Sequence, residues 1–174
     1  MINDPVLHSL HQGALIVGAL TLCCAALHDI AARTIPNTAC AILAVLGIGL
    51  HLADGSILIS LLFATLVFCG CTFCWLRGWM GGGDVKLLAA SSLLVPPAAV
   101  GTMIVATAMF GGAVAVIYLV ARSIARRIPL QAPPARRTLL ARVLRAEHWR
   151  LLRGAPLPYG SAIAAGTLFV LFPG

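Results

Sequence analysis

The chain has 174 residues, of which 60% are hydrophobic and 10% are charged. Soluble domains have about 45–50% apolar and about 25% charged residues, and a soluble protein of this size could not bury so much apolar surface. The composition therefore excludes a soluble domain, a disordered chain and a disulfide-stapled secreted module. It predicts a polytopic membrane protein with a single transmembrane domain spanning residues 1–174.

The net charge of +7 is concentrated in one segment, because nine of the twelve lysine and arginine residues fall between Arg122 and Arg153. The other three stand at the edges of apolar runs: Arg33, Arg77 and Lys86. Basic residues placed in this way are typical of the cytoplasmic side of a membrane protein. A nucleic-acid-binding patch is the weaker interpretation, because little polar chain remains to build a domain around it. We expect no nucleic-acid partner.

The six cysteines all lie in apolar stretches. Cys71 and Cys74 form a C-x-x-C pair, which is compatible with zinc or redox chemistry. There is no second pair to complete a four-ligand zinc site and no βαβ pattern to support a thioredoxin site. We expect these cysteines to act as small apolar residues within helices, and we expect no metal site and no cofactor.

The first three apolar runs approach or reach the length of about 20 residues that a helix needs to cross a bilayer core. They cover residues 7–30, 37–53 and 56–76. The turn Arg33–Asn37 separates the first two and contains a proline, which is suited to the first position of a helix. A polar, glycine-rich break at residues 78–86 follows the third run.

The uncharged stretch 87–121 is too long for one span. As a single helix its 35 residues would measure about 52 Å, against a bilayer core of about 30 Å. Pro96 and Pro97 divide it, since proline cannot continue a helix interior. The sequence therefore predicts a short fourth helix at 84–95 and a full fifth helix at 98–121.

The distribution of charge predicts the orientation of the chain. A basic loop at 122–156 follows the fifth helix, and a last apolar run at 157–172 completes an all-α bundle of about six transmembrane helices. With the N-terminus outside, segments 31–36, 77–86 and 122–156 are internal and hold all twelve basic residues. We expect the basic loop to contact anionic lipids, in part as an amphipathic helix.

Two of the five acidic residues differ from the others in position. Asp29 ends the first predicted helix and Asp84 begins the fourth, so both lie at the cytoplasmic edge of the apolar slab, where acids are functional candidates. Two adjacent carboxylates cannot both ionise and therefore share a proton. One then acts as a base on water while the protonated one polarises a peptide carbonyl, which is the arrangement for peptide hydrolysis without a metal or a covalent nucleophile. The alternative is that Asp84 caps its helix and Asp29 pairs with Arg33, four residues later.

Three glycines, Gly81, Gly82 and Gly83, directly precede Asp84. Glycine permits backbone geometries that are closed to other residues. Without side chains at these positions, an extended peptide could lie against the backbone and reach the carboxylate. The alternative is a flexible loop after the third helix.

The string Gly81–Lys86 resembles the G-x-G-D-x-K segment of type IV prepilin peptidases, which are GxGD intramembrane aspartyl proteases. Asp29 followed by Arg33–Asn37 resembles the first aspartate of that family and its R-x-I-P-N turn. Leu157–Gly160 resembles the P-[FY]-G segment that opens the final helix. The small format resembles the peptidase of tight-adherence (Flp) pilus systems, although Ser161 stands where many members have proline.

The resemblance implies a catalytic pair and a substrate-binding segment. The catalytic residues would be Asp29 and Asp84, and substrate would contact Gly81, Gly82, Gly83 and Lys86. The implied reaction is removal of the short basic leader of a prepilin at the cytoplasmic face of the bacterial cytoplasmic membrane. Larger members carry a domain with paired C-x-x-C motifs and also methylate the new N-terminus; this chain lacks those motifs, so we expect no methyltransferase activity.

Several alternatives remain open from the sequence. G-x-G-D alone also fits an archaeal preflagellin peptidase or a presenilin-like protease. From other functional classes, a small proton-coupled transporter would use the two acids as proton relays, and a non-catalytic assembly factor would leave the glycines before Asp84 unexplained. The sequence does not indicate an oligomeric state.

Overall fold

The structure, a computed structural model, describes residues 5–127 and 157–173. Within these ranges it contains α-helices, one short 3-10 turn and no strand, so the predicted all-α class is confirmed. The helices are α1 (Pro5–Ala32), α2 (Asn37–Ala53), α3 (Ile57–Leu76), α4 (Gly82–Leu94), α5 (Val100–Arg127) and α6 (Tyr159–Leu171).

Within residues 5–127 and 157–173, three helical segments are long and apolar enough to cross a membrane: His8–Ala32, Ile57–Leu76 and Pro97–Ile124. Two shorter apolar helices, Asn37–Ala53 and Tyr159–Leu171, accompany them. Large apolar side chains point outward along these helices, and Leu58 is 82% exposed. An apolar outer surface of this kind requires an apolar surrounding, so the structure supports a helical membrane protein.

The double proline divides the long uncharged stretch as predicted. α4 ends at Leu94, Val95 is extended, and a 3-10 turn at Pro97–Ala99 leads into α5. Proline at 96 and 97 prevents a continuous helix, because it removes backbone donors and clashes with the preceding turn. At 13 residues, α4 is about 20 Å long and is too short to cross a bilayer core alone.

Two helix boundaries differ from the approximate positions that the sequence predicts. α5 continues to Arg127, six residues into the segment predicted as the basic loop 122–156. This extension contains no glycine or proline, and its arginine and alanine residues favour helix. The rest of that loop lies outside the described residues, so its contact with lipid stays a prediction. α4 begins at Gly82, two residues before the predicted start at 84.

The short helix α4 lies between other helices. It packs against α2, α3 and α6, while α1 packs against α2 and α6. The side chains of Leu87, Leu94 and Val95 are fully or almost fully buried. Gly47 of α2 lies directly against the backbone of Leu93, so α2 and α4 approach more closely than a side chain at 47 would allow.

The described residues fall into two units that divide after Gly111: residues 5–111 with 158–173 belong to the first, and residues 112–127 with 157 belong to the second. Within the second unit, residues 112–127 are the C-terminal half of α5. All contacts described below lie within the first unit.

Candidate active site

Five helix termini meet at one end of the first unit, where α1 and α3 end and α2, α4 and α6 begin. Asp29 near the end of α1 contacts Gly160 at the start of α6. Lys86 in the first turns of α4 contacts Asn37, the first residue of α2. Trp75 near the end of α3 lies against Gly82, the first residue of α4. We call this region the Asp29–Asp84 end.

Asp29 is buried, with 6% of its surface exposed. Its Oδ2 accepts a hydrogen bond from the backbone N–H of Gly160 at 2.9 Å. Arg33 directly follows α1 and lies in the left-handed region at φ 56°, and its backbone N–H donates to the carbonyl oxygen of Asp29 at 2.8 Å. Arg33 and His28 are charged or titratable neighbours of the carboxylate. The predicted proximity of Arg33 to Asp29 is therefore observed, together with a backbone donor from a distant helix.

Asp84 is the third residue of α4 and is partly buried. Its carboxylate lies beside Gly81, the residue that caps α4: a Cβ at Gly81 would lie 2.9 Å from Oδ2 of Asp84. An acid in the first turn of a helix is also stabilised by the helix dipole. The predicted capping role is therefore compatible with the position of Asp84 and does not exclude a catalytic one.

The two acids predicted as a pair lie near one another. The carboxylates of Asp29 and Asp84 interact electrostatically, although 55 positions separate them in the chain. Tyr159, which precedes Gly160 in the chain, lies close enough to Asp84 to interact with it electrostatically. The pair that the sequence predicts would share a proton and polarise a water molecule between the two carboxyl groups, and the proximity of Asp29 and Asp84 is compatible with that arrangement.

The glycines before Asp84 do not use the unusual backbone geometry that their sequence indicates. Among the described residues, the glycines with positive φ are Gly55 and Gly78. Gly82 and Gly83 are the first residues of α4, so the flexible-loop alternative is also wrong for them. Their small size permits close packing instead: a Cβ at Gly83 would lie 3.3 Å from Cβ of Ile35.

The glycine string therefore divides into two parts. Gly82 and Gly83 face the protein, since a Cβ at Gly82 would lie 3.4 Å from Nε1 of Trp75. Gly81 is exposed and lies directly beside the carboxylate of Asp84. Contact of substrate with all three glycines stays a prediction, and Gly81 is the most accessible of them.

Lys86 has a partner within the protein. Its Nζ donates a hydrogen bond to Oδ1 of Asn37 at 3.1 Å. This bond joins the G-x-G-D-x-K string to the last residue of the R-x-I-P-N turn. Lys86 is exposed, and its predicted contact with substrate stays a prediction.

Gly160 is a site residue that the sequence analysis did not identify. It lies next to a catalytic candidate, whereas Gly166 on the same helix packs against Thr107 of α5. Tyr159 fills the space beside Gly111, where a Cβ would lie 2.8 Å from the tyrosine ring. The signal that could have identified Gly160 was its place in the Leu157–Gly160 string that resembles a family motif.

Within the described ranges, no cluster of three or more histidine, cysteine, aspartate or glutamate residues is placed to hold a metal ion. Cys71 and Cys74 are free thiols in α3. Neither observation gives the C-x-x-C pair a role beyond helix packing.

Comparison with known proteins gives the family. Searches of curated proteins and of solved structures found no match to the chain. The family match contains Asp29, the Arg33–Asn37 turn and the Gly81–Lys86 string, whereas Gly160 lies beyond it. Residues 16–117, more than half of the chain, match the model of the type IV leader peptidase family, and the chain belongs to that family.

Proposed function

We propose that this protein is an aspartyl endopeptidase that removes the short basic leader of a type IV or Flp prepilin. Membership of the type IV leader peptidase family implies a protease. The observation that supports the aspartyl mechanism is the meeting of Asp29 and Asp84 at one end of the bundle. The carboxylate of Asp29 accepts the backbone N–H of Gly160, and the carboxylate of Asp84 lies beside Gly81 at the start of α4.

The proposed reaction uses the two carboxyl groups as one unit. The ionised carboxylate takes a proton from water while the protonated one gives its proton to the carbonyl oxygen of the scissile peptide. The water oxygen bonds to the carbonyl carbon and forms a tetrahedral diol. Return of one proton to the leaving nitrogen, and removal of one from the diol, breaks the C–N bond and restores the original state of the pair.

The position of the acids also bears on the transporter alternative. A proton-coupled transporter would place its acids near the middle of the membrane. Asp29 is instead the fourth residue from the end of α1, and Asp84 is the third residue of α4. Acids at helix ends favour cleavage of a peptide that crosses the membrane surface. The apolar helix of the substrate would then lie in the bilayer, with its leader junction at the pair.

The function is tested with purified protein and a prepilin that carries a short basic leader and an apolar helix. We expect release of the intact leader, measured by mass spectrometry of both products. A preflagellin and an unrelated membrane protein serve as substrate comparisons. Preferential cleavage of the preflagellin or of the unrelated protein would favour the archaeal or presenilin-like alternative, and no cleavage of any substrate would contradict the proposal.

We further propose six spans in the bacterial cytoplasmic membrane, with the N-terminus outside and the active site at the cytoplasmic face. The break between α4 and α5 at Pro96–Pro97 supports this proposal, because with a turn there the charge pattern of the sequence assigns all twelve basic residues to the cytoplasmic side. Single cysteines at positions 97 and 135, in a chain without other cysteines, test it. An impermeant thiol reagent applied from outside should label position 97 and spare position 135, and the reverse pattern would contradict the orientation.

The proposed activity does not include methylation of the new N-terminus. The purified protein, given prepilin and labelled S-adenosylmethionine, should release the leader and transfer no methyl group. Methyl transfer that depends on this chain alone would contradict this part of the proposal.

A further inference from the structure

Each of the two acids lies against a glycine. Oδ2 of Asp84 lies beside Gly81, just before its own helix. The carboxylate of Asp29 accepts from the N–H of Gly160, which lies 131 positions away in the chain. The first contact is local, whereas the second depends on the packing of α6 against α1.

At Gly160, the bond to Asp29 leaves no room for a side chain. A Cβ at Gly160 would lie 2.9 Å from Oδ2, 3.1 Å from Cβ and 3.2 Å from Cγ of Asp29. A Cβ at Gly81 would lie 2.9 Å from Oδ2 of Asp84. Contacts under 3.0 Å force a shift, and Asp29 is 6% exposed, so its carboxylate has little room to move.

We propose that Gly160 is a positioning residue for Asp29. Its backbone N–H binds the carboxylate of Asp29, and the absence of a side chain at Gly160 lets that carboxylate keep the orientation that hydrolysis needs. This inference rests on the proposed protease function. A buried hydrogen bond from a backbone donor to a carboxylate is short and directional, and it fixes the plane of the acid. The start of α6 thereby forms part of the active site, in addition to α1 and α4.

The kinetic test compares Gly160→Ala with Gly18→Ala. Gly18 lies on α1, eleven residues before Asp29 and about 16 Å from it. A Cβ at Gly18 would meet the flexible end of Leu94 at 2.7 Å, so this variant also strains packing but does so away from the acids. It serves as the matched control for a structural effect.

We expect Gly160→Ala to lower kcat about 100-fold, because a small displacement of a catalytic group has an effect of this size. KM should stay within about twofold of wild type, and the affinity for a non-cleavable hydroxyethylene analogue of the leader junction should fall in parallel with kcat. Gly18→Ala should retain the wild-type kcat and analogue affinity. A wild-type kcat in Gly160→Ala, or an equal fall of kcat in the two variants, would overturn the inference.

If Gly160→Ala does not fold, a second measurement tests whether the hydrogen bond from Gly160 to Asp29 is present. The chain has 17 glycines, and selective nitrogen-15 labelling in detergent micelles gives one amide signal for each. We expect the Gly160 signal to shift strongly in Asp29→Ala and little in Asp84→Ala, and the Gly81 signal to respond in the opposite way. A Gly160 signal that is unchanged in Asp29→Ala would show that the bond is absent.

The two tests separate this inference from the proposed function. Failure of the wild-type protein to cleave any prepilin would contradict the function, whereas the glycine signals would still report the bond. Cleavage by the wild type together with full kcat in Gly160→Ala would contradict the inference alone.

Discussion

The two ends of the helical bundle bury polar groups in different ways. At the Asp29–Asp84 end, two acids from separate helices lie near one another. Asp29 accepts the backbone N–H of Gly160, and Asp84 lies beside Gly81. At the other end, His51 is 5% exposed, and its Nδ1 is hydrogen-bonded to Oγ of Ser56 at 2.8 Å, only five residues away. We call that region the His51–Ser56 end.

The His51–Ser56 end also contains buried polar groups, but they are not arranged like those of the Asp29–Asp84 end. Within the described part of the chain, Nε2 of His51 is buried and has no hydrogen-bond partner. It lines a cavity of about 200 Å³ that His11 and Asp54 also border. A buried polar side chain is therefore not sufficient for the proposed chemistry. What distinguishes the Asp29–Asp84 end is the proximity of two acids from distant parts of the chain, one of which accepts a backbone N–H from a distant helix.

The largest effect should come from removing either acid. We expect Asp29→Asn and Asp84→Asn each to lower leader cleavage about 10³-fold or more, because the two groups act as one unit. Asp54→Asn, at the His51–Ser56 end, is the control and should cleave like wild type. The measurement is initial cleavage rate at equal amounts of folded protein in membranes. Substantial cleavage by either acid variant would contradict the proposed pair.

A second prediction concerns the packing of α4, which carries Asp84. Gly47→Ala should lower the free energy of unfolding by about 1–3 kcal/mol, because its Cβ would overlap the backbone of Leu93. Gly49, two residues later on α2, has no other heavy atom within 4 Å of an added Cβ. Gly49→Ala should therefore be neutral or slightly stabilising. Thermal unfolding in detergent measures both variants, and equal melting temperatures would contradict the close approach of α2 and α4.

The bond between Lys86 and Asn37 gives a third, smaller effect. Lys86→Met should lower kcat about tenfold, because loss of a charged hydrogen bond lets the start of α4 move relative to α2. Asn37→Ala should have a similar effect, and the double variant should be no worse than either single one. A rise in KM at unchanged kcat in Lys86→Met, with no such rise in Asn37→Ala, would instead support contact of Lys86 with substrate.

The smallest effect is expected at the His51–Ser56 end. His51→Leu removes one hydrogen bond but also removes a buried nitrogen that has no partner in the described structure. These contributions oppose each other, so the free energy of unfolding should change by no more than about 1 kcal/mol. Cleavage should equal that of wild type. A large loss of cleavage without a loss of stability would show that this end also takes part in the reaction.

The sequence predicted those features that depend on local chemistry. The bounds of α2 follow from an apolar run between Pro36 and Asp54, and the division between α4 and α5 follows from two prolines. Asp29 and Asp84 could be selected because acids are rare in apolar helices and because their surroundings resemble family motifs. The meeting of these two acids was predicted from a common depth in the membrane.

Features that depend on packing between distant segments were not predictable in this way. The bond from Gly160 to Asp29 requires the start of α6 to pack against the end of α1, although 131 positions separate the two residues in the chain. The extension of α5 to Arg127 reflects helix propensity in a charged segment, whereas hydropathy places the boundary at Ala121. Gly82 and Gly83 indicated an unusual backbone conformation. The structure instead needs small residues at these positions, because Trp75 and Ile35 approach them closely.

The central claim, that Asp29 and Asp84 lie together at one end of the bundle, is tested most directly by cross-linking. In a chain whose six native cysteines are replaced by alanine, cysteine is introduced at positions 29 and 84, and a short bis-maleimide is added in native membranes. We predict an intramolecular cross-link that is as efficient as that between cysteines at 37 and 86, where a hydrogen bond joins the native side chains. Cysteines at 29 and 54 should not be linked. Efficient linking of 37 with 86 but none of 29 with 84 would contradict the account.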